Sequence, residues 1–128
     1  MPLFNHKPNN KRELGNNFEQ LAVDYLIQKK VKIIATNYLC KMGEIDIIAR
    51  DQQDLVFVEV RYRKSNTYGG SLESVNKGKQ RRVSLAASHY LQNHQLTNKI
   101  SCRFDVIAMT GTLEKININW IKAAFNAN

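Results

Sequence analysis

The sequence predicts an α/β domain in which a central mixed sheet of about five strands is flanked by helices. Two stretches carry apolar residues at helical spacing, five are β-branched or alternating, and they run helix, three strands, helix, two strands. With 128 residues, 43% apolar and 23% charged, the chain can build one ordinary core but not two, so residues 11–128 are read as a single domain.

Residues 1–10 hold Pro2, Pro8 and three asparagines among few apolar side chains and read as a flexible tail. From Lys11 to Lys30, Leu14, Phe18, Leu21, Ala22, Tyr25 and Leu26 recur every three or four residues, which describes a first helix with one buried stripe. Val31 to Leu39 opens with β-branched residues and reads as a short strand, with Asn37 marking a turn. Glu44–Arg50 and Leu55–Arg63 follow as strands, joined as a hairpin through Asp51-Gln52-Gln53-Asp54. Ser65 to Ser74, with Gly69 and Gly70 among polar residues, reads as a mobile loop. A second helix starts near Val75 and buries Val83, Ala86, Ala87, Tyr90 and Leu91. Phe104–Met109 and Lys115–Trp120 complete the set around a turn at Thr110-Gly111. A connection through the second helix makes one strand pair parallel.

Nineteen Lys and Arg against eleven Asp and Glu leave a formal charge of +8. Such a balance favours a polyanionic partner, most commonly nucleic acid; a basic surface with no special partner is the alternative. No apolar run approaches the roughly 18 residues of a membrane span and the N-terminus has no signal core, so a cytoplasmic location and no membrane partner are expected. Cys40 and Cys102 stand apart, with no spacing for a disulfide framework or a zinc site, and are expected as buried thiols of a reducing compartment. His6, His89 and His94 lack a Ser or Cys partner at recognisable spacing. With no nucleophile elbow, P-loop or dinucleotide fingerprint, those enzyme classes are set aside.

The chemistry concentrates on the hairpin. Strand side chains alternate, so Leu55, Phe57, Glu59, Arg61 and Arg63 share one face and Val56, Val58, Val60 and Tyr62 the other. In the preceding strand Glu44, Asp46 and Ile48 are expected on one face, and Ile45, Ile47 and Ala49 on the other. A hairpin turning symmetrically about Gln52-Gln53 sets Ile48 opposite Phe57, Asp46 opposite Glu59 and Glu44 opposite Arg61. Opposed Cβ atoms lie about 4.5–5.5 Å apart, where like charges destabilise the pair. A divalent cation would relieve Asp46 against Glu59, since Mg²⁺ takes one or two carboxylates and completes its shell with water and phosphate oxygens. A solvated strand end, with Glu44 paired to Arg61, is the alternative.

Glu19 sits at the margin of the first helix's apolar stripe, where it either reaches a neighbouring strand or faces solvent. Seven of the nineteen basic residues lie between Arg61 and Arg82, against the single acid Glu73. Arg63, Lys64, Lys77, Lys79, Arg81 and Arg82 are thus candidates to hold a phosphate backbone; a solvated helix face is the alternative. Of the tyrosines nearby, Tyr62 falls on the oily strand face and Tyr90 on the buried helix stripe, which leaves Tyr68 to stack on a base.

The string Gly43-Glu44-Ile45-Asp46-Ile47-Ile48-Ala49, followed by Phe57-Val58-Glu59-Val60-Arg61-Tyr62-Arg63, resembles the YraN-like family of small bacterial proteins. Gly15 with Glu19, the Lys77–Arg82 segment and Arg103-Phe104-Asp105-Val106 fit as well, so the resemblance covers nearly everything after the tail. That family is similar in turn to Holliday-junction resolvases and other PD-(D/E)xK nucleases. The resemblance implies a restriction-endonuclease-like fold, with Asp46 and Glu59 as ligands of Mg²⁺ or Mn²⁺ and Glu19 as a first-helix acid beside the metal. It also implies Lys79 as a basic residue on the following helix, and DNA, including branched DNA, as substrate. Resolvases act as dimers, so a homodimer is among the implied partners. Arg61 departs from the nuclease pattern, which has Lys there. Lysine can lose a proton and orient water, whereas arginine stays charged and clamps phosphate. A nuclease and a non-cleaving nucleic-acid-binding module on the same fold both stay open.

Overall fold

Helical and alternating patterns resolve into seven elements in the computed structural model, which describes residues 11–65 and 73–127, with first-helix side chains from Asn17 onward. The elements are α1 (Lys11–Gln28), β1 (Lys32–Cys40), β2 (Gly43–Asp51), β3 (Asp54–Arg63), α2 (Lys77–Asn93), β4 (Cys102–Thr112) and β5 (Lys115–Phe125). The tail expected at 1–10, Tyr68 and most of the loop between Ser65 and Ser74 lie outside the described residues. The five strands form one sheet in the order β1-β2-β3-β4-β5. All neighbours are antiparallel except β3 and β4, the pair connected through α2. The expected α/β class and helix-flanked mixed sheet of five strands are both present. Among the described residues no helix is long and apolar enough to cross a membrane.

The central strand explains the layering. Leu55 and Phe57 of β3 pack against Val83, Ala86, Ala87 and Tyr90 of α2. Val56 and Val58 pack on the other face, against Phe18, Ala22 and Leu26 of α1. A strand covered on both sides reads as a continuous apolar run, which is why alternation is lost in the first half of β3. Each such side chain contributes about 1.5–3 kcal/mol when fully buried, so the half preceding Glu59 is firmly anchored. The helices are ended locally. Lys30 takes a left-handed φ of 68° beyond α1, and the Asn76 side chain caps α2 by accepting the Lys79 N–H at 2.8 Å.

Three expectations need correction. The last hairpin does not turn at Thr110-Gly111, because Gly111 pairs with Ile116 and Thr112 with Lys115, which moves the turn to Leu113-Glu114. Gly111 is required inside the ladder instead: its φ is +109°, and a Cβ there would meet the Lys115 carbonyl oxygen at 2.2 Å. Alternation along β2 also breaks. Ile45 joins Ile48 on the α2 side while Ile47 and Ala49 face α1. The break falls at Asp46, between the pairs Thr36–Ile47 and Tyr38–Ile45, and Asn37 across from it has φ 53°. Irregularities of this kind re-aim a side chain. Finally, Cys102 is exposed and Cys40 only half-buried.

At the far end of the sheet, Asp105 is fully buried. It accepts hydrogen bonds from the Arg103 guanidinium, Trp120 Nε1 at 2.9 Å and Ala123 N at 2.9 Å. Arg103 also reaches Asp51 at 2.6 Å and Asp54 at 3.0 Å. One arginine thereby ties the β2–β3 turn to β4 and β5.

Candidate metal and phosphate site

The β2–β3 hairpin has the expected register, with Ile48 opposite Phe57 and Ile47 opposite Val58, and the ladder ends there. Where the next main-chain bond would form, Asp46 Oδ2 accepts the Val60 N–H at 2.9 Å. The Asp46 carboxylate thus stands in for a strand carbonyl and lies where the two strands part, beside Glu59. Since the ladder stops, Glu44 does not come opposite Arg61; it is exposed and pairs with Leu39 across β1.

Glu59 belongs to the α2 face, following Leu55 and Phe57. It is 7% exposed, and Lys79 Nζ lies 3.3 Å from its Oε2. The two border a cleft of roughly 240 Å³ together with Arg61, Val75, Asn76 and Arg82. Close packing holds α2 over the start of β2: a Cβ on Gly43 would sit 2.6 Å from the Arg82 carbonyl oxygen, so only glycine allows this approach.

Burial, then the neighbouring Asp46 carboxylate, pushes Glu59 from its ordinary 4.5 to about 7, against the pull of Lys79. Burial also raises Asp46, opposed by the Val60 N–H and Lys79. Both carboxyls are thus raised, burial being the first cause in each. Glu19 on α1 is raised by burial first and by Asp46 second, while the Asn37 side chain hydrogen-bonds to it and opposes the rise. Asp46 therefore acts on both Glu19 of α1 and Glu59 of β3, and Lys79 on Asp46 and Glu59.

Two adjacent carboxylates fit a hard cation that fills its remaining positions with water and phosphate oxygens. Among the described residues no group of three or more His, Cys, Asp or Glu side chains is placed to hold a metal, and the oxygen-only pair is unlike a zinc set. Asp46 and Glu59 are the side chains that could hold Mg²⁺ or Mn²⁺, with Glu19 on α1 within the electrostatic reach of Asp46.

The remaining candidates divide by position. Arg61 borders the cleft, and its guanidinium donates to the Ser74 carbonyl. Arg82 borders it too, while Lys77 and Arg81 are exposed elsewhere on α2. Arg63 is half-exposed on β3, and Lys64 is exposed at a separate cleft past the end of that strand. Tyr62 stacks on Phe18 with ring centroids 3.7 Å apart and Tyr90 is buried, so both are core side chains. His89 is bonded to Tyr38 at 2.5 Å and His94 stacks on Tyr90; His6 lies outside the described residues. Sequence reasoning missed the pairing of Lys79 with Glu59 and the part of Asn37. The signal for Asn37 was there, an asparagine tolerant of left-handed backbone inside a β-branched run, but a turn is the commoner meaning of that signal.

A family model described as "Uncharacterised protein family UPF0102" matches residues 18–109. A UPF0102 protein of Nitrosococcus oceani is 41% identical over 119 residues, spanning 93% of this chain and 96% of that one. One of Alkalilimnicola ehrlichii is 42% identical, spanning 90% and 88%, and one of Saccharophagus degradans is 42% identical, spanning 91% and 95%.

Proposed function

We propose that this chain, which belongs to the UPF0102 family of YraN-like proteins, is a restriction-endonuclease-like phosphodiesterase that uses Mg²⁺ or Mn²⁺ to cut DNA, branched DNA included. The observation that carries this reading is the Asp46–Glu59 pair. Glu59, buried, and Asp46, half-buried, stand side by side at a parting of strands with Lys79 on the Glu59 side, and burial and Asp46 push Glu59 up to about 7, so a divalent cation would relieve the pair. A divalent ion there supplies charge neutralisation, polarises a phosphoryl oxygen and makes water more acidic. Asp46 and Glu59 hold the ion, and Glu19 orients water from the α1 side. Arg61, always charged, steadies the scissile phosphate through its fork of N–H donors. Lys79 offsets the carboxylates before the ion arrives and, with Arg82, faces the phosphate at the mouth of the cleft. A cytoplasmic location and, for a substrate with two strands to cut, a homodimer go with this reading.

Arg61 also favours a second reading, a nucleic-acid-binding module that keeps the fold and does not cleave. One experiment separates the two. The purified protein is incubated with branched and single-stranded DNA in Mn²⁺ or Mg²⁺, beside Asp46→Ala and Arg61→Lys. Nicking that needs the metal and vanishes in Asp46→Ala supports the nuclease. Binding that persists in EDTA, falls steeply with salt and never leads to cleavage supports the module. Equal nicking by Asp46→Ala overturns the nuclease reading.

A further inference from the structure

Beyond the carboxylate site, β3 ends at a second cleft. Lys64 and Ser65 follow the last residue of that strand, and Thr110, Gly111, Lys115, Ile116 and Asn117 of the β4–β5 hairpin complete a cleft of roughly 510 Å³. Lys64, Lys115 and Asn117 are exposed. Among the described residues no acid lines the cleft; Glu114 lies next to it in the turn. Two ammonium groups, two hydroxyls and a carboxamide lining one space form a donor-rich set suited to a phosphate oxyanion.

The cleft is built on rigid parts. Tyr62, stacked on Phe18, donates its hydroxyl to the Gly111 carbonyl and so fastens the hairpin to β3. The close approach of Gly111 to the Lys115 carbonyl fixes where Lys115 leaves the turn. Because β3 and β4 are parallel through Arg63–Thr110, this cleft and the carboxylate site lie at the same end of the sheet, where ligands of α/β folds gather.

We propose that this cleft binds a second backbone phosphate of the same nucleic-acid strand, held by Lys64 and Lys115 with Thr110 and Asn117. The inference rests on the reading of Asp46 and Glu59 as a phosphodiester site. It adds a footprint. Lys64 is five residues past Glu59, and at about 3.3 Å per residue the separation is about 17 Å. A stacked strand advances about 3.4 Å per nucleotide, so the two phosphates are about five steps apart.

The test measures binding of fluorescent oligothymidylates two to ten nucleotides long in EDTA, by anisotropy, for the wild type and Lys64→Ala/Lys115→Ala, beside a cleavage assay of both in Mn²⁺. Affinity of the wild type should rise about tenfold once length passes about six nucleotides, and the double variant should lose that rise. Its logarithmic salt slope should fall by about 0.7 for the lost phosphate contact. Inorganic tripolyphosphate should also shift the backbone amide resonances of Gly111, Lys115 and Asn117 in the wild type, but not in the double variant. A double variant that matches the wild type at every length and salt concentration overturns the subsite even if the protein cleaves DNA. Absence of both oligonucleotide binding and amide shifts overturns it too. A length-dependent gain that needs both lysines upholds the subsite even if no cleavage is found, and then only the nuclease reading fails.

Discussion

Replacing Glu59 by glutamine should make the protein more stable in alkaline buffer, although it removes a carboxylate from an ion pair. Glu59 is 7% exposed and stands beside Asp46. Its folded value of about 7 lies above the 4.5 of an unperturbed chain, so folding favours the protonated acid. The stability tied to that proton is complete below about pH 4.5 and is lost as pH rises through 7. A displacement of this size corresponds to on the order of 3 kcal/mol. Glutamine cannot ionise and still presents an oxygen to Lys79, so it escapes the loss. Urea denaturation in EDTA between pH 4.5 and 8.5 measures the effect. The stability of wild type minus Glu59→Gln should fall by on the order of 3 kcal/mol across that range, most steeply midway between the ordinary 4.5 and the folded value of about 7, and level off above it. Mg²⁺ in hundredfold excess over its dissociation constant should restore about 2.7 kcal/mol to the wild type at pH 8 and little to the variant. A difference that stays flat with pH would refute the reasoning, because it would mean that burial and Asp46 do not hold the proton on Glu59.

Four further outcomes follow from single contacts. Asp46→Asn retains an oxygen for the Val60 N–H and should fold with stability within about 1 kcal/mol of the wild type while losing metal-dependent cleavage. Asp46→Ala leaves that N–H without its acceptor and should cost about 1–3 kcal/mol more in urea titrations. Gly111→Ala forces a Cβ against the Lys115 carbonyl at positive φ and should lower stability by on the order of 2–4 kcal/mol, with the loss localised to the β4–β5 hairpin in amide exchange. Arg103→Met strands Asp105 in the core without its guanidinium. It should cost about 3–5 kcal/mol at pH 7, and equal stability in denaturant melts would show that the aspartate is satisfied by Trp120 and Ala123 alone.

Much of the fold was legible because its patterns are local. The stripe of Phe18, Ala22 and Leu26, the two oily faces of β3 and the four-residue hairpin loop each carry their own period, and the register of Ile48 against Phe57 follows from that loop. What escaped depends on contacts distant in sequence. The flip at Asp46 needs Asn37 on another strand, and the pairing of Lys79 with Glu59 needs α2 folded back over β3 through Gly43. Gly111 in the sequence suggests the commonest use of glycine, a turn, whereas the backbone of Lys115 presses on it from the facing strand. Asp46 beside Glu59 was visible as a clash of like charges on one hairpin. That Asp46 also replaces a strand carbonyl at Val60 was not, because the end of the β2–β3 ladder leaves no mark in the sequence.

The most direct test of the Asp46–Glu59 site is anomalous diffraction from crystals soaked in Mn²⁺ at pH 8. The expected result is a single strong peak within coordination distance of both carboxylates, with Lys79 no longer 3.3 Å from Glu59. A map without a peak there, with the Lys79–Glu59 ion pair intact, would contradict the assignment of these two residues as metal ligands.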